Sequence, residues 1–127
     1  MKNLPTVSDS ELTLLQIIWA QGGTALFAEI MTSLAQSQSE WKKNTVLTLL
    51  SRLVEKGYLT TSKLGRRNAY TALVSDGDYQ AAQTKTFVQK IYKGNVRGLV
   101  STLLEQDILS SEDLEELNQF WQEASHE

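Results

Sequence analysis

The sequence contains no cysteine, one histidine and one proline among its 127 residues, and these scarcities exclude several classes of function. Without cysteine there can be no disulfide bond, thiolate metal site, iron–sulfur cluster or cysteine nucleophile. The single histidine, His126, is the penultimate residue, so a zinc site or a histidine-assisted hydrolase would lack an internal imidazole. A Gly-rich phosphate-binding loop is also missing. We therefore expect no enzyme, no metal site and no cofactor.

Long apolar runs are missing as well. No run reaches the roughly 18 residues of a membrane span, and Met1 to Leu4 is too short and too polar for a secretory signal. With 41% apolar residues and a net charge of -3, the composition is typical of a core-forming globular chain rather than a disordered one. The sequence predicts a cytoplasmic protein with no membrane insertion.

Charge is distributed unevenly along the chain. Residues 41–70 hold seven basic residues and one acidic residue, a charge of +6, whereas residues 98–127 hold eight acidic residues and no lysine or arginine. A run of like charge often forms only a solvated face, but a patch of this size can also supply the field that attracts a polyanion. The small negative net charge therefore does not argue against nucleic acid as a partner.

Three short helices are predicted in the first half of the chain. Ser8, with Glu11 three residues later, forms a capping box for the first helix, which Gly22-Gly23 ends. Gly57 follows the third helix, where a glycine is typical. Apolar residues recur at helical spacing in the first (Leu12, Leu15, Trp19), the second (Leu26, Ile30, Leu34) and the third (Val46, Leu49, Leu50, Leu53, Val54).

After Gly57 the pattern changes from helical to extended. Residues 58–63 and 68–73 are rich in β-branched and aromatic residues, and residues 64–67 between them are predicted to form a turn. Three helices and a two-stranded ribbon are the order of a winged helix-turn-helix, whose third helix enters the DNA major groove while the ribbon tip meets the flanking backbone or the minor groove. We therefore predict a mainly α fold with a small β-ribbon, in which residues 1–74 form the DNA-binding domain.

The candidate DNA-binding residues lie on the third helix and at the ribbon tip. Lysines at the start of the helix can neutralise phosphates, and asparagine or arginine can reach base edges. Leu47 borders both faces of the helix and either completes the core, which we favour, or touches a thymine methyl group. The predicted contacts to double-stranded DNA are Lys42, Lys43, Asn44, Thr45, Thr48, Ser51, Arg52, Lys63, Arg66 and Arg67.

Residues 75–127 are predicted to form three more helices, the first ending at Gly94. Their wide apolar stripes either fold back on the winged module or meet a partner. A homodimer is favoured, because a two-fold pair buries such stripes reciprocally and presents two recognition helices to a palindrome. The predicted dimer interface of this dimerisation domain comprises Val96, Leu99, Val100, Leu103, Leu104, Leu114, Leu117, Phe120 and Trp121.

Several segments of the chain form a recognisable series: Ser8-Asp9-Ser10-Glu11, Ile17-Ile18-Trp19, Trp41 with Thr45-Val46, Thr48-Leu49-Leu50, Arg52-Leu53, Lys56-Gly57-Tyr58-Leu59 and residues 87–94. In these segments the chain resembles the penicillinase repressor (BlaI/MecI/CopY) family, and the likeness extends from about Val7 to Glu123. The resemblance implies a bacterial dimeric repressor of operator DNA, with an N-terminal winged helix and a C-terminal dimerisation domain. It also implies relief by a signal, which in the β-lactam branch is proteolysis set off by a membrane sensor protease, directly or through a downstream protease.

Three departures limit what the resemblance implies. The absence of cysteine removes the metal motif through which the copper branch of the family releases DNA. Asn44 and Leu47 stand where close β-lactam-branch relatives tend to have basic residues, which implies a different operator. Thr102-Leu103 stands at the scissile Asn-Phe bond of that branch, which argues against cleavage there and for a place in the dimer core.

There are two alternatives to the repressor hypothesis, one also transcriptional and one from another class of function. One is a winged-helix regulator controlled by a small ligand bound between its domains, which titration with candidate ligands would identify. The other is a winged helix used as a protein-interaction module. Such a module has no need of Lys42, Lys43, Arg66 and Arg67 together, whereas DNA binding requires a basic patch.

Overall fold

The chain forms two compact units, which we call unit 1 (residues 1–82) and unit 2 (residues 83–127). The structure is a computed structural model that describes residues 4–125, so the lone histidine lies outside the described part. Within that part, no helix is both long and apolar enough to cross a bilayer. The elements are α1 (Asp9–Ala20), β1 (Thr24–Leu26), α2 (Phe27–Gln36), α3 (Lys43–Lys56), β2 (Leu59–Leu64), β3 (Arg67–Ala72), α4 (Asp76–Tyr92), α5 (Val96–Glu105) and α6 (Ser111–Ser125).

The predicted capping box at the start of α1 is confirmed. Ser8 Oγ accepts a hydrogen bond from the Glu11 backbone N–H at 3.1 Å, and the Ser8 N–H donates to Glu11 Oε1 at 2.9 Å. Two orphan N–H groups of the first turn are thereby satisfied. Glu11 is also drawn inward, and its side chain is only 2% exposed.

The β-sheet has three strands rather than the two that the sequence predicted. Its order is β1-β3-β2, and both pairs are antiparallel. Leu26, which was predicted to lie on the second helix, belongs instead to β1 and pairs with Ala69. That prediction was wrong because a three-residue strand is too short to show a period of two, and its partner lies more than forty residues away.

The two longer strands form a tight hairpin. Leu64 pairs with Arg67, so the loop contains only Gly65 and Arg66. Gly65 has φ of +66°. Two-residue hairpin loops need a positive φ at their first position, and glycine adopts it without steric cost. The ribbon therefore extends to the basic tip with little irregular chain.

The core of unit 1 is formed by one apolar stripe from each of α1, α2 and α3, which pack around the sheet. The predicted stripe of α3 is confirmed, because four of its five members are buried and Val54 is half-buried. Leu47 is half-buried beside that stripe. The fully buried apolar side chains of the three helices are Leu14, Leu15, Ile18, Ile30, Leu34, Val46, Leu50 and Leu53.

The first turns of α4 belong to unit 1 and pack within it. Trp19 Nε1–H donates to the Val74 carbonyl at 2.8 Å, and the Tyr79 ring lies 5.6 Å from Trp19 and 6.1 Å from Tyr58 between centroids. Tyr79 is buried by these contacts. The domain boundary predicted after residue 74 precedes α4, whereas the compact units divide after residue 82 because this aromatic cluster holds the helix start.

In unit 2, side chains from the preceding loops cap α5 and α6. Asn95 Oδ1 accepts from the Gly98 N–H at 3.1 Å at the start of α5. Ser110 and Asp113 exchange two hydrogen bonds at the start of α6, the same reciprocal capping as in α1. Neither α5 nor α6 contains a fully buried residue. Their apolar stripes are therefore incompletely covered within one chain.

Candidate nucleic-acid interface

The outer face of α3 carries the polar side chains that the sequence singled out. Asn44, Thr48 and Arg52 follow one another at four-residue spacing and therefore lie along one face of the helix. Thr48 Oγ1 donates to the Asn44 carbonyl at 2.9 Å, which leaves its oxygen lone pairs free to accept. Thr45 and Ser51 extend this polar face, and all five side chains are exposed. Amide, hydroxyl and guanidinium groups of this kind match the hydrogen-bonding edges of bases in a major groove.

The N-terminus of α3 is electrostatically distinct from those of the other two helices of the winged module. Asp9 and Glu11 lie in the first turn of α1 and Glu29 in that of α2, whereas the first turn of α3 has no acid. Lys42, its N-cap residue, makes no side-chain cap, and both Lys42 and Lys43 are exposed. The positive end of the helix dipole is thus reinforced by two lysines, an arrangement that favours phosphate over carboxylate neighbours.

The second predicted group lies at the tip of the β2–β3 ribbon, which we call the wing (residues 59–72). Lys63, Arg66 and Arg67 are exposed there, and within residues 4–125 none of their side chains has an ion pair or hydrogen bond. Their charges are therefore available to a partner. The structure brings all ten predicted DNA-binding residues onto the surface of one unit, on a helix and a ribbon that only Gly57 and Tyr58 separate.

One basic residue of the same region faces inward instead. Lys56 Nζ donates to Glu11 Oε1 at 2.7 Å and to the Thr6 carbonyl at 2.8 Å, while Tyr58 Oη donates to the Pro5 carbonyl at 2.7 Å. We call the Lys56–Glu11–Thr6 group the clamp. It ties the C-terminal end of α3 to the start of α1 and to the chain before it. The clamp thus fixes the helix whose outer face carries the polar residues.

The clamp determines the ionisation of Glu11. Burial by itself would raise the pKa of this carboxyl, but hydrogen bonds from Lys56 and Ser8 favour the charged form more strongly, so the pKa is lowered from its ordinary 4.5. Its second oxygen, Oε2, is buried and has no hydrogen-bond partner within the described part of the chain. Sequence reasoning missed the clamp, because it assigned Glu11 only to capping and predicted no contact for Lys56. Glu11 and Lys56 are 45 positions apart, so no local pattern in the sequence indicated their contact.

Unit 2 exposes most of the residues that were predicted to form a dimer interface. Leu117, Phe120 and Trp121 on α6 are 54%, 69% and 71% exposed, and the predicted residues of α5 other than Val96 are half-buried. An open groove of about 500 Å³ is lined by Leu109, Leu117 and Phe120 together with two acids of α6. Apolar side chains exposed to this extent on one helix mark an interaction surface.

The Thr102-Leu103 bond lies inside α5 and is held by its neighbours. Thr102 Oγ1 donates to the Gly98 carbonyl at 3.0 Å. The Leu103 carbonyl accepts two hydrogen bonds at 2.9 Å, from the N–H groups of Ile108 and Leu109. Both Thr102 and Leu103 are half-buried. A protease would need α5 to unwind locally before this bond could enter an active site.

The chain is similar in sequence to known repressors. The family model described as Penicillinase repressor matches residues 7–123. A penicillinase repressor from Bacillus licheniformis is 34% identical over 123 residues, which cover 97% of this chain and 94% of the relative. The methicillin resistance regulatory protein MecI of Staphylococcus aureus strain N315 is 32% identical over 111 residues, covering 87% of this chain and 89% of that protein.

Solved structures show a similar fold for more than half of the chain. The solution structure of the DNA-binding domain of the repressor BlaI has a TM-score of 0.53 and 35% identity, covering 62% of this chain and 94% of that one. Monomeric Bacillus licheniformis BlaI in complex with the blaP half-operator has a TM-score of 0.52 at the same identity and coverage. The mainly α fold with a winged helix is therefore confirmed.

Proposed function

We propose that this chain, which belongs to the penicillinase repressor family, is a transcriptional repressor that binds operator DNA as a homodimer. The observation that carries the proposal is the exposed polar face of α3, which begins at two lysines and lacks any acid in its first turn. The activity is binding rather than catalysis. It would act in the cytoplasm, where bacterial operators are found.

In this proposal α3 reads the major groove. Lys42 and Lys43 hold phosphates at the start of the helix, where the dipole adds to their charge. Asn44 and Arg52 are long enough to reach base edges, and Thr45, Thr48 and Ser51 are short enough to let the helix approach them. The half-operator complex of BlaI supports operator DNA as the ligand, because that protein shares the fold and 35% of the aligned residues.

The homodimer is proposed from the apolar faces of α5 and α6. A second copy would cover them by two-fold symmetry, and the two recognition helices would then meet the two halves of a palindrome. Unit 2 is accordingly the proposed dimerisation domain. Its acidic residues, which include those lining the α6 groove, would repel DNA phosphates, and this unit is therefore not assigned a DNA contact.

The proposal also includes relief of repression by a signal such as proteolysis. A membrane sensor protease, or a protease downstream of it, would start this step. Cleavage at Thr102-Leu103 would require α5 to unwind, because the bond is half-buried and the Leu103 carbonyl is doubly hydrogen-bonded. Cutting there would separate α6 from the rest of the chain and remove part of the proposed interface. Dissociation of the dimer would follow.

Replacing Arg52 by alanine tests the proposed reading of bases. Duplexes recovered by the wild-type protein from a random DNA pool serve as the specific probe, and a scrambled duplex serves as the non-specific one. We expect Arg52→Ala to weaken specific binding by about 1–3 kcal/mol and to leave non-specific binding nearly unchanged. Arg97→Ala, an exposed arginine of unit 2, is the matched control. Equal losses on both duplexes would assign Arg52 to the phosphate backbone.

Removing the two arginines of the wing tests its contact with phosphate. We expect the Arg66→Ala/Arg67→Ala double variant to bind all duplexes more weakly and to show a shallower salt dependence. Each lost phosphate contact reduces the slope of log K against log salt by about 0.9, so the change is about 1.8 for each wing. Lys85→Ala/Lys90→Ala removes the same charge from α4 and should retain the wild-type slope. A wing variant with an unchanged slope would contradict the contact.

A further inference from the structure

A leucine at the tip of the wing has no role in the fold or in the contacts proposed so far. Among the described residues of unit 1, the large apolar side chains that remain exposed are Leu64 and Leu73, each 59% exposed. Leu73 lies at the base of the ribbon, where β3 ends, whereas Leu64 adjoins the two-residue loop at its far end. An exposed leucine on a hairpin tip contributes nothing to the core and carries a cost in water.

The neighbours of Leu64 are cationic. It pairs across the hairpin with Arg67, so the two side chains share one face of the ribbon. Lys63 pairs with Asn68 on the opposite face, and Arg66 stands in the loop between the strands. The tip therefore presents one apolar side chain beside Arg67 on one face, with Arg66 in the loop and Lys63 on the other face, and there is no acid between residues 59 and 72.

That combination matches the chemistry of a DNA minor groove. The groove walls are deoxyribose rings, which offer C–H surface, and the groove floor has a negative potential that is strongest where A·T pairs narrow it. Proteins that bind there combine arginines in the groove with apolar side chains such as leucine against sugars or between base steps. Contacts to phosphate alone would need only the three cations and would leave Leu64 in water.

We infer that the wing tip enters the minor groove beside the site of α3, with Arg66 in the groove and Leu64 against its deoxyribose walls. Leu64 is thereby a specificity-determining residue that favours A·T-rich flanks. The inference rests on the proposed DNA contact of the wing. It decides between the flanking backbone and the minor groove, which the winged-helix order leaves open, and it adds the role of Leu64 and the sequence preference. A protein partner on the same tip would be expected to be acidic, and it would leave DNA affinity independent of Leu64.

The experiment uses the full-length protein and one selected duplex with three versions of its outer flanks: A·T pairs, G·C pairs, and inosine·C pairs. Inosine·C has the major-groove edge of G·C but lacks the minor-groove amino group, so it separates readout in the two grooves. We expect the wild type to bind the A·T and inosine·C versions about tenfold more tightly than the G·C version. Failure to bind any duplex would overturn the repressor proposal itself. Tight binding without a flank preference, or inosine·C behaving as G·C, would overturn only this inference.

Two serine variants separate the role of Leu64 from a general effect of polarity. Leu64→Ser is expected to lose most of the flank preference, to bind the A·T version about fivefold to tenfold more weakly, and to retain the wild-type salt slope because no charge is removed. Leu73→Ser, equally exposed on the same ribbon, should bind as the wild type does. Both should unfold at the wild-type temperature. A Leu64→Ser variant that keeps the full A·T preference would refute the assignment.

Discussion

A protein in which Leu117 and Phe120 are both replaced by glutamate is expected to be monomeric and to bind a palindromic operator about 100-fold to 10,000-fold more weakly. Both side chains are more than half exposed and line the groove on α6 beside Asp113 and Glu116. Two added carboxylates would have to be buried against the partner copy, next to acids that are already present. The desolvation of unpaired charges opposes such an interface strongly.

The loss of affinity follows from the geometry of a dimer on a palindrome. When one recognition helix is bound, the second half-site is reached within the same complex, at an effective concentration that a free monomer cannot match. A monomer retains the affinity of one half-site. We therefore expect the variant to bind a single half-site duplex as the wild type does and to lose only the advantage on the full palindrome.

Sedimentation velocity gives the oligomeric state, and titration of half-site and full-site duplexes gives the two affinities. The control, Gln119→Glu/Gln122→Glu, adds the same charge to α6 at positions outside its apolar stripe. It should remain dimeric and bind normally. If the Leu117→Glu/Phe120→Glu protein remained a dimer with full affinity, α6 would not be the interface.

The second large effect concerns the clamp. Lys56→Met is expected to reduce the free energy of unfolding by about 2–3 kcal/mol at pH 7, somewhat less than the loss of a partner in a fully buried pair, because Lys56 is 26% exposed. Methionine preserves the length of the side chain, so the change isolates the charge and its hydrogen bonds. Glu11 would be left ionised and buried without its cation.

The pH dependence of this effect has a definite sign. In the wild type the Glu11 pKa is lowered on folding, so its contribution is present above the ordinary value of 4.5 and is lost as the pH falls through the folded-state pKa. Without Lys56 the folded-state pKa is higher, and the carboxyl takes up its proton earlier on acidification. The difference in unfolding free energy between wild type and Lys56→Met should therefore shrink as the pH falls from 7 to 4.

Urea unfolding at several pH values measures this difference. Lys63→Met removes an exposed lysine that has no ion pair within the described residues, and it should match the wild type at every pH. A Lys56→Met deficit that stays constant from pH 7 to pH 4 would show that the loss comes from packing rather than from the charge of Glu11.

The features that local sequence determines were the ones that could be predicted. The stripe of α3 repeats over several turns, Gly57 adopts φ of +91° at its end, and the Ser8 capping box joins residues only three apart. Each depends on neighbours along the chain, so periodicity and residue type are enough to find it. The polar face of α3 was predictable for the same reason, since it consists of the helix positions that lie outside the apolar stripe.

The features that were missed depend on residues distant in sequence. β1 is defined by its pairing with β3, and the clamp joins Glu11 to a lysine 45 positions later. Neither contact produces a periodic pattern of residues in the sequence. The wing tip is an intermediate case, because its charges were visible in the sequence while the exposure of Leu64 required the register of the hairpin.

The three tryptophans of the chain lie in three different settings, which has an optical consequence. Trp19 is half-buried with its indole N–H on the Val74 carbonyl, Trp41 is half-buried two residues before α3, and Trp121 is 71% exposed on α6. Indole emission moves to shorter wavelength when water is excluded. Single-tryptophan versions of the protein would therefore carry separate fluorescent reporters, Trp19 for unfolding of unit 1, Trp41 for events at the recognition helix, and Trp121 for covering of the α6 face.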